Sequence, residues 1–122
     1  MQTLQFEAAW ENTISPEDRL TITNKFAQIK YKTAQGIVLS YLWEAENHLG
    51  DLLITTFIHN YDDKPIRLTD TNVAYIINKQ QIAHGIFTIP EAIPPQTTMP
   101  WTFIFSDKNS TDKAPEFFIK HE

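Results

Sequence analysis

The stretch GIVLSYLWEAENHLGDLLITTFIHN, Gly36–Asn60, decides the fold class of this 122-residue chain. One face of its first half carries only large apolar side chains, those of Ile37, Leu39, Tyr41 and Trp43. Alternation with a period of two is typical of a β-strand. Turn-forming residues follow at Asn47–Asp51, and a second segment rich in Ile, Thr and Phe runs from Leu52 to about His59. The stretch therefore predicts two strands joined by a turn.

Later parts of the chain repeat this pattern of short apolar segments between polar turns. Further strands are predicted at Asn72–Asn78, Ile82–Ile89, Met99–Phe105 and Glu116–Lys120. The residues Lys79-Gln80-Gln81 would join the first two of these as a hairpin, and the proline-rich segment 90–96 would be a crossing loop. Six or seven strands of this kind predict a mainly β fold, an antiparallel immunoglobulin-like β-sandwich. Its strands would lie within residues 36–106, with a C-terminal strand or tail over 107–122.

One α-helix is predicted ahead of the strands. Ser15-Pro16-Glu17-Asp18 combines a capping serine, a proline at the first helical position and two acids at the positive end of the helix dipole. Ile22, Phe26 and Ile29 then form a narrow apolar stripe with helical spacing. We expect a helix over about residues 16–29, packed at one side or end of a single domain.

Charge and composition narrow the classes of function. The net charge is −5, and no basic cluster is denser than Lys30-Tyr31-Lys32, which argues against a nucleic-acid partner. No apolar run approaches the roughly 18 residues that span a bilayer, so no membrane insertion is expected. The N-terminus has no basic region followed by an apolar stretch, and the chain contains no cysteine. We therefore expect a cytoplasmic protein.

The segment FIHNYDDKPIRL, Phe57–Leu68, contains the nearest approach to a metal or catalytic cluster: His59, Asp62 and Asp63. Zinc needs three or four convergent ligands, whereas these carboxylates lie in a dense run of turn-forming residues. We interpret the segment as a turn. The other histidines are isolated, no serine-nucleophile motif is present, and three glycines are too few for a phosphate-binding loop. The sequence thus predicts no catalytic residues, no metal site and no cofactor.

The aromatic residues allow two interpretations. Tyr41, Trp43 and Trp101 could form a flat stacking platform for sugar rings, as in β-sandwich carbohydrate-binding modules. Alternatively, Trp101, Phe103 and Phe105 alternate toward a core between two sheets, where each would bury a large area. We favour the core interpretation and keep the platform as the alternative.

A set of ordered landmarks resembles the SLAP domain family of Firmicutes, which is linked to the accessory Sec system and S-layer assembly. The matching pieces are Phe6…Trp10, Ile14–Asp18, Leu52–Ile58, Asn60 with Asp63–Leu68, and Pro100–Phe105. Together they cover roughly residues 3 to 106. The resemblance implies a non-catalytic domain that assists the export of S-layer proteins, and it supplies no catalytic residues. Members of the family often carry the domain in duplicate, whereas this chain carries one copy.

Three functions remain open from the sequence. The leading hypothesis is a non-enzymatic protein–protein interaction domain whose partner belongs to the export machinery or is an S-layer protein. An extended partner segment would add to an exposed sheet edge, predicted at Pro65, Ile66, Arg67 and Leu68. The first alternative is the carbohydrate- or cell-wall-binding module described above. The second is an enzyme whose site is assembled from scattered residues.

Overall fold

The fold consists of two β-sheets with helices on one side. The computed structural model describes residues 2–29 and 35–121. Two α-helices, Ala8–Thr13 (α1) and Pro16–Ala27 (α2), follow a two-residue strand at Thr3–Leu4 (β1). The remaining strands are Ile37–Glu46 (β2), Leu52–Asn60 (β3), Thr71–Ile77 (β4), Gln80–Phe87 (β5), Thr97–Phe105 (β6) and Phe117–His121 (β7). A short 3₁₀ helix at Asp107–Asn109 follows β6. The basic cluster at positions 30–32 lies outside the described residues.

Seven strands agree with the expected number, but the sheets are mixed rather than antiparallel. The first sheet has the order β1-β6-β3-β2, and the second has the order β5-β4-β7. Most neighbours are antiparallel, whereas β1 pairs with β6 and β7 pairs with β4 in parallel. Parallel pairing arises here because these two terminal strands join their sheets across long connections instead of hairpins. The expected antiparallel arrangement is therefore wrong for β7, and the immunoglobulin-like topology is not confirmed. The strand β1 was not predicted, and it lies outside residues 36–106, where the strands were expected.

The main core lies between the two sheets. It joins β3 and β6 of the first sheet to β4 and β7 of the second, and its fully buried side chains include Ile54, Phe103, Tyr75 and Ile119. Phe103 and Phe105 are both buried, as the core interpretation predicted. Trp101 is only half-buried, where it packs at the margin of this core and stacks on Trp10 of α1. The inward alternation of β6 is thus confirmed, with its tryptophan at the boundary.

A second core forms on the other face of the first sheet. Ile22 of α2 packs there against Leu42 of β2 and Phe57 of β3. The Ser15 hydroxyl accepts a hydrogen bond from the Asp18 amide at 3.0 Å, which confirms the predicted start of the helix. The helix ends at Ala27, two residues earlier than predicted. The molecule therefore has three layers, with the first sheet in the middle.

The helix α1 was not predicted from the sequence. Its N-cap is Glu7, a buried residue whose carboxylate accepts hydrogen bonds from the amides of Ala9 and Trp10 at 2.8 and 3.1 Å. Only six residues long, this helix shows too little periodicity to be recognised in a sequence.

A β-bulge in β2 changes the predicted pattern of faces. The register against β3 shifts between Tyr41 and Trp43, so that Leu42 is the extra residue. Tyr41 consequently packs against the core between the sheets, whereas Trp43 packs against the helix-side core. The prediction that Ile37, Leu39, Tyr41 and Trp43 share one face is therefore wrong for Trp43.

Candidate functional site

A groove runs between β2 and β7, the two strands at the same side of the sandwich. Each is the last strand of its sheet in the described part of the chain, so each presents an edge. The groove has a volume of about 290 Å³. It is lined from β2 by Ile37, Val38 and Leu39, and from the β7 side by Glu116, Phe117, Phe118 and Lys120. We call this feature the β2–β7 groove.

Apolar side chains dominate the rim of the β2–β7 groove. Val38 is 40% exposed and Phe118 is 42% exposed, although both lie within strands. Ile37 and Phe117, beside them, are half-buried and pack against the main core. Exposed apolar edges of this kind are ready to pair with another chain unless something covers them.

The other side of the sandwich, between β5 and β6, is partly covered by the 3₁₀ helix. The side-chain amide of Asn109 donates to the Ile104 carbonyl at 2.7 Å, and its carbonyl oxygen accepts from the Ser106 amide at 3.0 Å. The Asn109 backbone also lies directly over Gly85 of β5. The 3₁₀ helix therefore covers part of the β5–β6 side, although a cavity of about 360 Å³ remains there, lined by residues that include His84, Phe105 and Asp107.

Farther along β2 and β7, just beyond the groove lining, lies a cluster of Tyr41, Tyr75, His121 and Glu44. The rings of Tyr41 and His121 stack with centroids 3.9 Å apart and an interplanar angle of 7°. The Tyr75 hydroxyl donates to Glu44 Oε1 at 3.1 Å and lies 2.9 Å from His121 Nδ1. The cluster joins β2, β4 and β7, and it holds the two edge strands at a fixed separation at this point.

Electrostatics make the phenols of this cluster hydrogen-bond donors at neutral pH. Burial, and then the hydrogen bond to the Glu44 carboxylate and its charge, raise the pKa of Tyr75 well above its usual range. Burial and the Glu44 charge also raise the pKa of Tyr41. Both side chains therefore stay protonated, and neither is an activated base or nucleophile.

The segment predicted as a binding edge, Pro65, Ile66, Arg67 and Leu68, lies elsewhere, beside the loop that precedes β6. Ile66 forms an isolated bridge with Ile93, in which its amide and carbonyl bond at 3.0 and 2.8 Å. Leu68 is buried, and its carbonyl accepts from the Ile89 amide at 2.9 Å. Pro65 and Arg67 are exposed. A partner role for this segment stays a prediction, although much of its backbone is already engaged.

The three residues predicted as a sugar-binding platform are not on one surface. Tyr41 and Trp101 flank Thr56 on the face toward the second sheet, whereas Trp43 lies on the helix side. One face of the Tyr41 ring is covered by His121, and Trp101 stacks on Trp10 with centroids 6.4 Å apart. The structure thus separates Trp43 from the other two members.

His59, Asp62 and Asp63 do not act together either. His59 is 1% exposed, and its ring nitrogens lie 2.9 Å from Ser40 Oγ and 2.8 Å from Thr98 Oγ1. Asp62 accepts a hydrogen bond from the Gly36 amide at 2.8 Å, and Asp63 is exposed. Burial lowers the pKa of His59 to about 4, so the ring is neutral at pH 7. Across residues 2–29 and 35–121, no group of three or more His, Asp or Glu side chains is arranged to hold a metal ion.

Sequence reasoning missed the β2–β7 groove, although one signal for it was present. Phe117 and Phe118 are adjacent in a predicted strand, and adjacent strand residues point to opposite faces. One of the two rings therefore had to lie outside the main core. The neighbouring position of β2 could not be found, because strand order is not encoded in the local pattern.

Comparison with known protein families gives one match. The family model described as the SLAP domain matches residues 4–118, nearly the whole chain. No curated protein and no solved structure matches. Within the described residues, no helix is long and apolar enough to cross a membrane.

Proposed function

Because the chain belongs to the SLAP domain family, we propose that it is a non-catalytic protein-interaction domain that assists the export or assembly of S-layer or other cell-envelope proteins. The family name supports the link to the accessory Sec system. The β2–β7 groove carries the interaction part of the proposal, because it presents two open sheet edges with an exposed apolar side chain on each. We place the activity in the cytoplasm, where an export accessory meets its client before translocation.

Physically, the groove suits a protein partner better than a small molecule. Its lining is mostly apolar, and it is open to solvent rather than a closed cavity. Exposed apolar surface bounded by polar residues marks sites of protein association. Binding there would remove Val38 and Phe118 from water, and each square ångström of apolar area buried contributes about 25 cal/mol.

Site-specific photo-crosslinking in a Firmicute host tests this proposal. A benzophenone amino acid replaces Val38 in one variant and Ile82 in another, and crosslinked proteins are identified by mass spectrometry. Ile82 is the matched control, because it is 48% exposed on β5, the opposite edge of the second sheet from β7. We expect the Val38 variant to capture an export component or an envelope protein, and the Ile82 variant to capture neither.

Equal crosslinking at both positions, or capture of no export or envelope protein at Val38, would contradict the proposal.

A further inference from the structure

The hydrogen-bond register of β2 shows which of its backbone groups are open to a partner. The Tyr61 amide donates to the Gly36 carbonyl at 3.0 Å, and these residues directly precede and follow the opposed pair Ile37 and Asn60. In an antiparallel ladder, hydrogen-bonded and non-hydrogen-bonded pairs alternate. Ile37 and Leu39 are therefore in non-hydrogen-bonded pairs with β3, and their N–H and C=O groups point away from it. Those groups lie along the β2–β7 groove.

This edge is held in a fixed extended conformation. Gly36, at the start of β2, has φ +75°, and its amide donates to Asp62 Oδ1 at 2.8 Å. The side chain of Leu39 is buried in the main core, and this packing also holds β2 in place. A rigid edge loses little conformational entropy when a second strand pairs with it, which favours binding.

Charge in the groove distinguishes between partner sequences. Lys120 lines the groove, and no ion pair reaches it within the described part of the chain. The nearby carboxylate of Glu116 is already engaged, because it accepts hydrogen bonds from the amide and side chain of Asn72 at 2.9 and 3.2 Å. The groove thus offers a cation without an ion pair among the described residues, in a mostly apolar lining, and the carboxylate of Glu116 is held by Asn72.

We propose that the β2–β7 groove binds an extended segment of a partner protein, which adds as a strand to the free edge of β2 at Ile37 and Leu39 and carries an acidic side chain that meets Lys120. Apolar side chains on one face of the segment would contact Ile37 and Phe117, and those on its other face would contact Val38. This inference rests on the proposed function and adds the chemistry of the partner to it. Strand addition suits such an edge, because backbone hydrogen bonds provide affinity and alternate side chains provide specificity.

A peptide library provides the first test. Capped octapeptides with Val, Ile or Phe at every second position, and Ser, Thr, Asp or Lys at the others, are panned on the whole chain. We expect Asp-containing peptides to be enriched over Lys-containing ones, and the Lys120→Glu variant to reverse that preference. Amide hydrogen exchange at Ile37 and Leu39 should slow when the selected peptide binds.

An N-methyl scan of the selected peptide gives the matched control. Methylation of alternate peptide amides removes the donors that face β2, and each such change should weaken binding about tenfold, the loss of roughly 1.4 kcal/mol. Methylation of the intervening amides should leave affinity unchanged.

Two results would overturn this inference: no enrichment of any peptide, or an N-methyl scan without alternation. A third result would also overturn it: sedimentation shows that the chain alone forms a dimer, and hydrogen exchange shows that the Ile37 and Leu39 amides are protected in that dimer. The occupant of the edge would then be a second copy of the chain. If photo-crosslinking at Val38 still captures an envelope protein in any of these cases, the proposed function is retained. Only the inference that the partner adds as a strand to β2 is then rejected.

Discussion

At the scale of single residues, His59 illustrates how burial decides the state of a titratable group. The ring lies between Ser40 and Thr98, and both of its nitrogens have hydroxyl neighbours. A neutral imidazole has one nitrogen that donates a hydrogen bond and one that accepts a hydrogen bond. A hydroxyl group can be the partner of either nitrogen, because it both donates and accepts. His59, which precedes Asp62 and Asp63 by three and four positions in the sequence, is thus a hydrogen-bonded polar residue of the sheet.

We predict that His59 makes stability depend on pH between about 4 and 6.5. Its pKa is lowered in the fold, so the unfolded chain binds more protons in this range and stability is lost as the pH falls. The full contribution, about 3 kcal/mol from a shift of this size, is present above pH 6.5 and is lost near pH 4. Urea unfolding of the wild type and of His59→Gln at pH 7 and pH 4.5 measures it.

The pH dependence of His59→Gln should be weaker than that of the wild type by most of this amount. An equal loss of stability in both proteins would assign the effect to carboxylates instead.

Tyr75 provides a second prediction at the residue scale. Tyr75→Phe removes the buried hydroxyl that bonds Glu44 and contacts His121, and we expect it to lower the free energy of unfolding by about 1–2 kcal/mol. A double-mutant cycle with Glu44→Ala, measured by urea denaturation, should give a coupling energy of comparable size. Additive effects of the two changes would mean that this hydrogen bond does not contribute to stability.

At the scale of secondary-structure elements, the residues that form the hairpin turn between β4 and β5 can be recognised in the sequence. Asn78 and Lys79 both have positive φ, 49° and 70°, as a two-residue hairpin turn between β4 and β5 requires. The predicted hairpin is confirmed, with the turn one residue earlier than expected. Asparagine adopts this conformation with little strain, which explains why the chain reverses there.

The 3₁₀ helix that packs over β5 makes Gly85 sensitive to substitution. A Cβ atom at this position would lie 2.9 Å from the Asn109 backbone oxygen, closer than real Cβ contacts allow. Gly85→Ala should therefore displace the 3₁₀ helix and cost about 1–3 kcal/mol, measured by urea denaturation. The control is His84→Ala in the same strand, which should change stability by less than about 0.5 kcal/mol. An unchanged free energy of unfolding in Gly85→Ala would show that the 3₁₀ helix is loosely packed against β5.

At the scale of the whole molecule, α2 is part of the cooperative fold rather than an appendage. It supplies Ile22 to the helix-side core, and Phe26 packs edge-on against Phe57 with ring centroids 6.1 Å apart. The outer face of the first sheet thereby loses its contact with water. The sheet is in consequence buried on both faces along β3, which explains the unbroken run of buried residues from Ile54 to Asn60.

We predict that Ile22→Ala destabilises the entire domain by about 2–5 kcal/mol, because it leaves a cavity between helix and sheet. Leu20→Ala is the matched control in the same helix, since Leu20 is 61% exposed and should tolerate the change. Thermal unfolding followed by far-UV and near-UV circular dichroism should show a single transition in both proteins. Loss of helical signal alone in Ile22→Ala would show that α2 folds independently.

The sequence by itself determined the elements with strong local signals. Short apolar segments between polar turns located β2 through β7 within a few residues, and the capping serine and proline located the start of α2, because these signals depend only on neighbours along the chain. The same local logic placed Phe103 and Phe105 inside. The family resemblance is confirmed as well, since its landmarks are short local motifs.

Only the tertiary structure decided the strand order, the parallel pairing of β1 and β7, and the bulge that turns Trp43 to the helix side. It also decided the meeting of β2 with β7, whose residues are about eighty positions apart in the sequence. Pairing across such distances depends on which arrangement buries the most apolar surface at the least cost in chain entropy. That balance is a property of the whole chain, and no local pattern contains it.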